Sequence, residues 1–307
     1  LPQLNDIQNE IQIQTAQGSP FDIVRRKYLK KLSELTGRNV ILYYSGWLQK
    51  PIRSLAPLLS INDNDKNGFM TTVHGLDTSK GLDLILHTPG GDVGATESLI
   101  DYLRQKFGTD IRAIVPQLAM SGGTMIACAC KEILMGRQSS LGPIDPQLNG
   151  VPAYGIVDEF RKAFDEIKAD KNKIPLWQPI IAKYNPALIG ECERAIEWSE
   201  ELAKGYLSSG MFVGDSDAKE KVNTIVDILT SHNFTKSHGR HIPTPACIAM
   251  DLKIFEIEKN QALQDTILSI HHAAALTITN TIAIKIIENH NGQAFIPTYE
   301  LKQPPAK

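Results

Sequence analysis

The sequence predicts a parallel α/β fold, and three observations carry that prediction. Apolar runs rich in strand formers recur at Asn39–Tyr44, Leu82–Thr88, Ile111–Val115 and Glu132–Met135. A helical pattern lies between the second and third, from about Thr96 to Phe107, with Leu99, Ile100, Leu103 and Phe107 on one face. Two glycine-rich segments, His87–Asp92 and Ala119–Thr124, each fall just past the end of a strand. Strand, helix, strand, helix, strand at this spacing calls for right-handed crossovers. Ligands in such sheets bind at the carboxyl ends of the strands. The two glycine segments therefore lie side by side if their strands are neighbours.

Taken in order, residues 1–36 are polar with scattered aliphatics and read as a helical extension. Asn39–Tyr44 is followed by a Ser45–Gly46 turn. Pro89-Gly90-Gly91 stops the strand at Leu82–Thr88, and Gly108–Thr109 closes the helix after it. Past Pro116, the small residues of Met120–Cys130 read as a buried helix, and Glu132–Met135 as the next strand. The remainder reads as mostly helical, over about 153–169, 186–207, 217–231 and from 245 onward. These readings divide the chain into a helical extension at 1–36, a core domain at 37–245 and a second helical extension at 246–307.

Composition excludes several classes. With 307 residues and 42% hydrophobic content, the chain can bury a large core. Its net charge is only −2 and its Lys and Arg are scattered, so it lacks the basic stripe of a nucleic-acid binder. Cys128, Cys130, Cys192 and Cys247 form no C-x-x-C pair and no disulfide framework. Buried reduced thiols and a cytoplasmic setting are expected. The most apolar stretch, Ala273–Ile287, is broken by Thr277, Thr279, Asn280, Thr281 and Lys285, too polar for a spanning helix. No signal peptide is recognisable, and Leu1 rather than Met opens the sequence, which leaves an upstream segment open. Membrane association stays open, although this chain does not encode it.

The chemistry concentrates in two motifs. Leu84-Ile85-Leu86 runs into Thr88-Pro89-Gly90-Gly91, and Met120-Ser121-Gly122-Gly123 follows. Acyl transfer by a serine needs an exposed hydroxyl and backbone N–H groups aimed where the oxyanion forms. A serine at a sharp strand-to-helix turn supplies the hydroxyl, beside the positive end of a helix dipole. Gly90 and Gly91 are expected to let the backbone approach a substrate carbonyl.

These motifs resemble those of the Clp-fold serine peptidases, among them the Clp proteolytic subunit and signal peptide peptidase A. LILHTPGG, AMSGGTMIA and SLGPIDPQ in this order resemble, more narrowly, the serine dehydrogenase proteinases. The resemblance spans roughly residues 38–245 and is dense from 82 to 148. It implies a Clp/crotonase-type spiral core and a serine endopeptidase acting on peptides or proteins without metal or organic cofactor. It further implies Ser121 as nucleophile, the N–H groups of Gly91 and Gly122 as oxyanion donors, and a homo-oligomer. The narrower family has Ser, Asp and His in that chain order, which points to Asp145 as orienting carboxylate and a downstream histidine as base. Triads are recognised by geometry rather than order.

His238 and His241, in the loop Ser237–Pro243, stand where that base is expected, with His238 favoured. His87 reads as a residue filling the end of the sheet; His74, His232, His271, His272 and His290 lack a supporting pattern. A Ser–Lys dyad is the rival, with Lys171, Lys173 or Lys183 as base and Lys131 too close along the chain. A crotonase-type acyl-CoA enzyme and a non-catalytic scaffold of the same fold also stay open. Asp63–Gly68 mimics the start of a calcium loop, but position twelve is His74 rather than an acid, so a polar loop is expected. The Ala/Ile/Thr-rich stretch Ile270–Ile287 is a candidate for contacts between subunits.

Overall fold

The computed structural model describes residues 1–15, 17–148, 150–230 and 237–300. The four expected strands form as β1 (Asn39–Ser45), β2 (Leu82–His87), β3 (Ile111–Val115) and β5 (Glu132–Met135), with the short β4 (Leu118–Ala119) between the last two. In the main sheet β5, β3, β2 and β1 are adjacent in that order and parallel. The first glycine-rich turn leaves β2 directly, whereas the second follows β4, which belongs to a separate small sheet and is held beside the end of β2 by a bridge between Thr88 and Ala119. Residues on alternate sides of β1 and β2 are all buried, so both faces of the sheet must be covered.

One face carries Ile41, Tyr43, Leu84 and Leu86 against Leu99, Ile100, Leu103 and Phe107 of the helix Val93–Phe107. That helix starts three residues earlier than its apolar pattern suggests, because Asp92 caps it by accepting from Ala95 N. The other face carries Val40, Leu42, Tyr44, Ile85 and Ile114. It is covered by Leu29 and Leu32 of the helix Pro20–Thr36 and by Ile267, Ile270, Ala274 and Ile278 of the helix Gln261–Asn280.

Helices from both terminal segments therefore pack directly on the sheet. The C-terminal segment is not wholly helical. Ile254–Glu256 adds a parallel strand beside β5, while Lys285–Asn289 pairs antiparallel with β1 and is itself followed by Ala294–Phe295. Within Ile270–Ile287, Ile270, Ala273, Ala274, Leu276, Ile278, Ile286 and Ile287 are buried inside the chain, while Ile282 is exposed. Each fully buried aliphatic there contributes about 1.5–3 kcal/mol.

Asp63–Gly68 is also corrected: Asn64–Val73 is a helix whose Phe69 and Val73 join the core. Asp65 is buried and ion-paired to Lys285, so its carboxylate is committed. The four cysteines are free and buried. Among the described residues no helix is long and apolar enough to cross a membrane.

Candidate active site

Ser121 occupies the turn between β4 and the helix Gly122–Cys128. Its φ of 50° and ψ of −115° put an L-residue where few are stable, at a cost of about 1–3 kcal/mol that the surroundings must impose. They do so by hydrogen bonds on both sides. Thr88 N donates to Leu118 O and Met120 N to Thr88 O, tying the turn to the end of β2. Beyond the serine, Gly123 N donates to Met120 O at 2.8 Å and Met125 N to Ser121 O at 3.0 Å. The side chain is only partly covered, and among the described residues its hydroxyl makes no hydrogen bond.

Gly90 packs against this turn. Its φ is +90°, and a Cβ there would lie 2.6 Å from Ser121 Cβ and 2.7 Å from Met120 O. Gly91 is required for a different reason from the one the sequence suggests. The space a Cβ would take is filled by the backbone of Ile61, with N and O both at 2.3 Å, and not by a substrate. Gly91 N lies 3.5 Å from where a Cβ on Gly122 would sit, so the two glycine backbones are close neighbours. Among the described residues neither the Gly91 nor the Gly122 N–H has an acceptor in the protein. Two free amides beside a free hydroxyl are what an oxyanion site requires.

Gly91→Ala is expected to push Ile61 away and turn the Gly91 amide. The expected loss is ~10²–10³ in kcat, the effect of one oxyanion donor. Steady-state kinetics on a peptide, with circular dichroism as a check on folding, measures it. An unchanged kcat would mean that this turn does not face the reacting carbonyl.

Asp145 and His238 meet although 93 residues separate them: His238 Nδ1 lies 2.8 Å from Asp145 Oδ1. The carboxylate is fully buried and the imidazole a quarter exposed. An ionised carboxylate can only accept, so Nδ1 carries a proton, and in the neutral ring Nε2 keeps its lone pair. His238 and Ser121 line one cleft of about 510 Å³, with Gly90, Gly91, Pro146, Leu148 and Trp198 among its walls. No hydrogen bond joins Ser121 to His238 among the described residues, and such bonds often tighten only around a substrate.

The rival bases lie elsewhere. His241 is exposed and is not part of the cleft wall. Lys131 pairs with Asp110 and Lys173 with Glu166, while Lys171 and Lys183 are exposed; none lines the cleft. Lys285 is a buried lysine close behind the wall, but its ammonium donates to Asp65 Oδ1, Asp65 Oδ2 and Ser60 O. All three of its protons are engaged, which disqualifies it as a base. His232 lies outside the described residues.

His87 is buried beneath the site, stacked on Tyr44 at 4.1 Å between ring centroids and packed against Trp47 and His271. Burial pulls its pKa down to about 4, against hydrogen bonds to Gln117 and Ser45. His271 falls to about 3 through burial first, then His87 and His272. Both are neutral when folded but take up protons near pH ~6.5 when unfolded. Their stabilisation is thus complete above about pH 6.5 and is lost as pH falls toward the folded values. Between pH ~6.5 and ~5, unfolding free energy should drop with a slope approaching ~1.4 kcal/mol per pH unit for each histidine. Denaturant titrations across that window measure it, and His271→Gln should remove about half of the slope.

Sequence reasoning missed the contribution of Ser60–Asn62, which runs beside the Gly91 turn, and that of Trp198 in the cleft wall. The first is hidden because its partners are distant in sequence. The second sits with Tyr206 on the amphipathic helix Leu188–Ser209, and nothing in the local pattern separates it from an ordinary packing residue.

The chain matches 35% of residues over 151 positions with MJ0137, an uncharacterised protein of Methanocaldococcus jannaschii, covering 49% of this chain and 51% of that one. A second uncharacterised protein of the same organism, MJ1495, is 31% identical over 154 residues, covering 50% of this chain and 47% of the relative. The chain thus spans about half the length of these curated relatives. The family model of the ClpP-like SDH-type serine proteinases matches residues 21–243, which takes in β1, both glycine-rich turns, Asp145 and His238. With well over half of its length matched, the chain belongs to the ClpP-like SDH-type serine proteinase family.

Proposed function

We propose that this chain hydrolyses peptide bonds by acyl transfer through Ser121. The observation that carries the reading is the His238–Asp145 hydrogen bond on the cleft that also exposes Ser121. Ser121 Oγ attacks the scissile carbonyl while His238 Nε2 takes its proton. Asp145, buried and bonded to Nδ1, holds the ring and stabilises the imidazolium. Negative charge on the carbonyl oxygen is met by the N–H groups of Gly91 and Gly122. Collapse expels the amine, which leaves with the proton from His238, and water then cleaves the acyl-enzyme by the same route. Every step uses side chains and amides of this chain.

The same reading takes the substrate to be a peptide or protein, the setting to be cytoplasmic and the working form to be a homo-oligomer. It is tested with a fluorophosphonate probe and mass spectrometry. One adduct on the peptide containing Ser121, absent in Ser121→Ala and much slower in His238→Ala, is expected. A folded chain that takes up no probe would favour the scaffold reading. An adduct at Ser121 that forms equally fast without His238 would remove the triad.

A further inference from the structure

We propose that Lys285 is a positioning residue for the oxyanion amide of Gly91, acting through Ser60, Asp65 and Ile61. The proposal rests on the peptidase reading above. Gly91 follows the end of β2, where the main sheet no longer sets its register; a strip of chain in the cleft wall does. Ile61 N donates to Gly90 O at 2.8 Å, and Asp92 N donates to Ile61 O at 3.0 Å. These two bonds bracket Gly91, and Ile61 forms a parallel bridge with it. Where Ile61 goes, the Gly91 N–H goes too.

The strip is held from below by the sheet. Ser45 and Lys285 are directly opposite each other in the ladder between β1 and Lys285–Asn289. They donate to consecutive carbonyls: Ser45 Oγ to Leu59 O at 2.6 Å and Lys285 Nζ to Ser60 O at 2.9 Å. On the far side of Ile61, Asn62 N donates to Asp65 Oδ2 at 3.1 Å. Lys285 and Asp65 close the frame, with Nζ at 2.7 and 2.9 Å from the two carboxylate oxygens. Tyr43 OH donates to Asp65 Oδ2 at 2.7 Å.

The ion pair is almost completely enclosed, with side-chain exposures of 1% and 3%. Enclosed pairs of this kind add little net stability over well-packed apolar residues, and their better-attested use is to fix one arrangement. Here the arrangement fixed is the backbone on both sides of Ile61. The network is fully satisfied and reaches the cleft only through backbone, so it touches no reacting atom. Its effect belongs to transition-state geometry, where a displacement of about 1 Å can cost ~10²-fold in rate.

The test compares Lys285→Met, the double variant Lys285→Met/Asp65→Asn, and Ser45→Ala with the unmodified chain. Measured on each are kcat, KM, thermal midpoint and affinity for a peptide aldehyde that forms a tetrahedral adduct on Ser121. We expect Lys285→Met to lower kcat by about 10–10²-fold with KM within about twofold, and to weaken the aldehyde by a similar factor. The double variant no longer buries an unpaired carboxylate, so its thermal midpoint should recover while kcat stays low. Ser45→Ala, which releases only Leu59, should show the same pattern at a few-fold, and it decides the matter if Lys285→Met does not fold. A kcat that recovers together with the thermal midpoint, or aldehyde affinity that is unaffected, overturns the proposal. Ser121→Ala run alongside separates the two ideas, because full activity in that variant removes the peptidase reading itself.

Discussion

Ser121→Ala is expected to lower kcat by roughly 10⁴–10⁶-fold, leaving only what substrate binding and the oxyanion amides supply. The change removes one oxygen that holds nothing together among the described residues, and alanine has the same Cβ at the same φ of 50°. Folding and peptide binding should therefore persist, and a catalytically dead variant cannot be dismissed as unfolded. A companion substitution exposes the strain at this position. Ser121→Gly relieves a backbone conformation that costs an L-residue about 1–3 kcal/mol. It should be as inactive as Ser121→Ala but melt at a higher temperature than the unmodified chain. Thermal unfolding of the three proteins and turnover of one peptide measure both effects. Normal turnover in Ser121→Ala would remove the mechanism. A Ser121→Gly variant that melts lower would show that the turn is not strained.

How much of this could be read in the sequence depended on how local the determinants are. The strands at Leu82–His87 and Ile111–Val115 announce themselves, because mostly aliphatic runs end at Pro89 and Pro116 within one short window. The nucleophile turn is equally local. The strand Lys285–Asn289 was not legible, for its sequence KIIEN carries three polar residues and yet is buried throughout. Those residues are satisfied from far away: Lys285 by Asp65, Glu288 by Arg25 and Arg26, and Asn289 by Thr72 O. A window reading sees charge and infers solvent.

Asp65 suffered the same fate from the other side, as an acid in what looked like a polar loop. The role of Gly91 shows a subtler gap. A glycine was legible as a requirement of the turn, but whether a ligand or another backbone fills the missing Cβ is a question of tertiary contact. The space belongs to Ile61, and that fact links the oxyanion turn to the Lys285 network.

The second large effect is expected at the His238–Asp145 pair, where two substitutions should behave differently. His238→Ala removes the base and should fall nearly as far as Ser121→Ala, since groups that act as one unit are not additive. The double variant Ser121→Ala/His238→Ala should then be no worse than either single one. Asp145→Asn keeps the volume and one oxygen, but the amide can present an N–H to Nδ1 and favour the wrong tautomer. A loss of about 10⁴ in kcat is the precedent for this kind of change. The substitution also puts an uncharged, fully buried group beside the quarter-exposed ring on which the imidazolium must form.

Two pH profiles sharpen the test. The base must be unprotonated to act, so kcat/KM of the unmodified chain should rise with pH through a single titration and then level. In Asp145→Asn the residual activity should shift its rise to lower pH, because the imidazolium has lost its carboxylate partner and gives up its proton more readily. His241→Ala, exposed and outside the cleft wall, is expected to leave both the rate and the profile unchanged. Should His241→Ala be inactive while His238→Ala turns over normally, the base is the other histidine of the same loop. Should both histidine variants work and a lysine variant fail, the enzyme is a Ser–Lys peptidase, and the hydrogen bond between His238 and Asp145 serves only to anchor the loop.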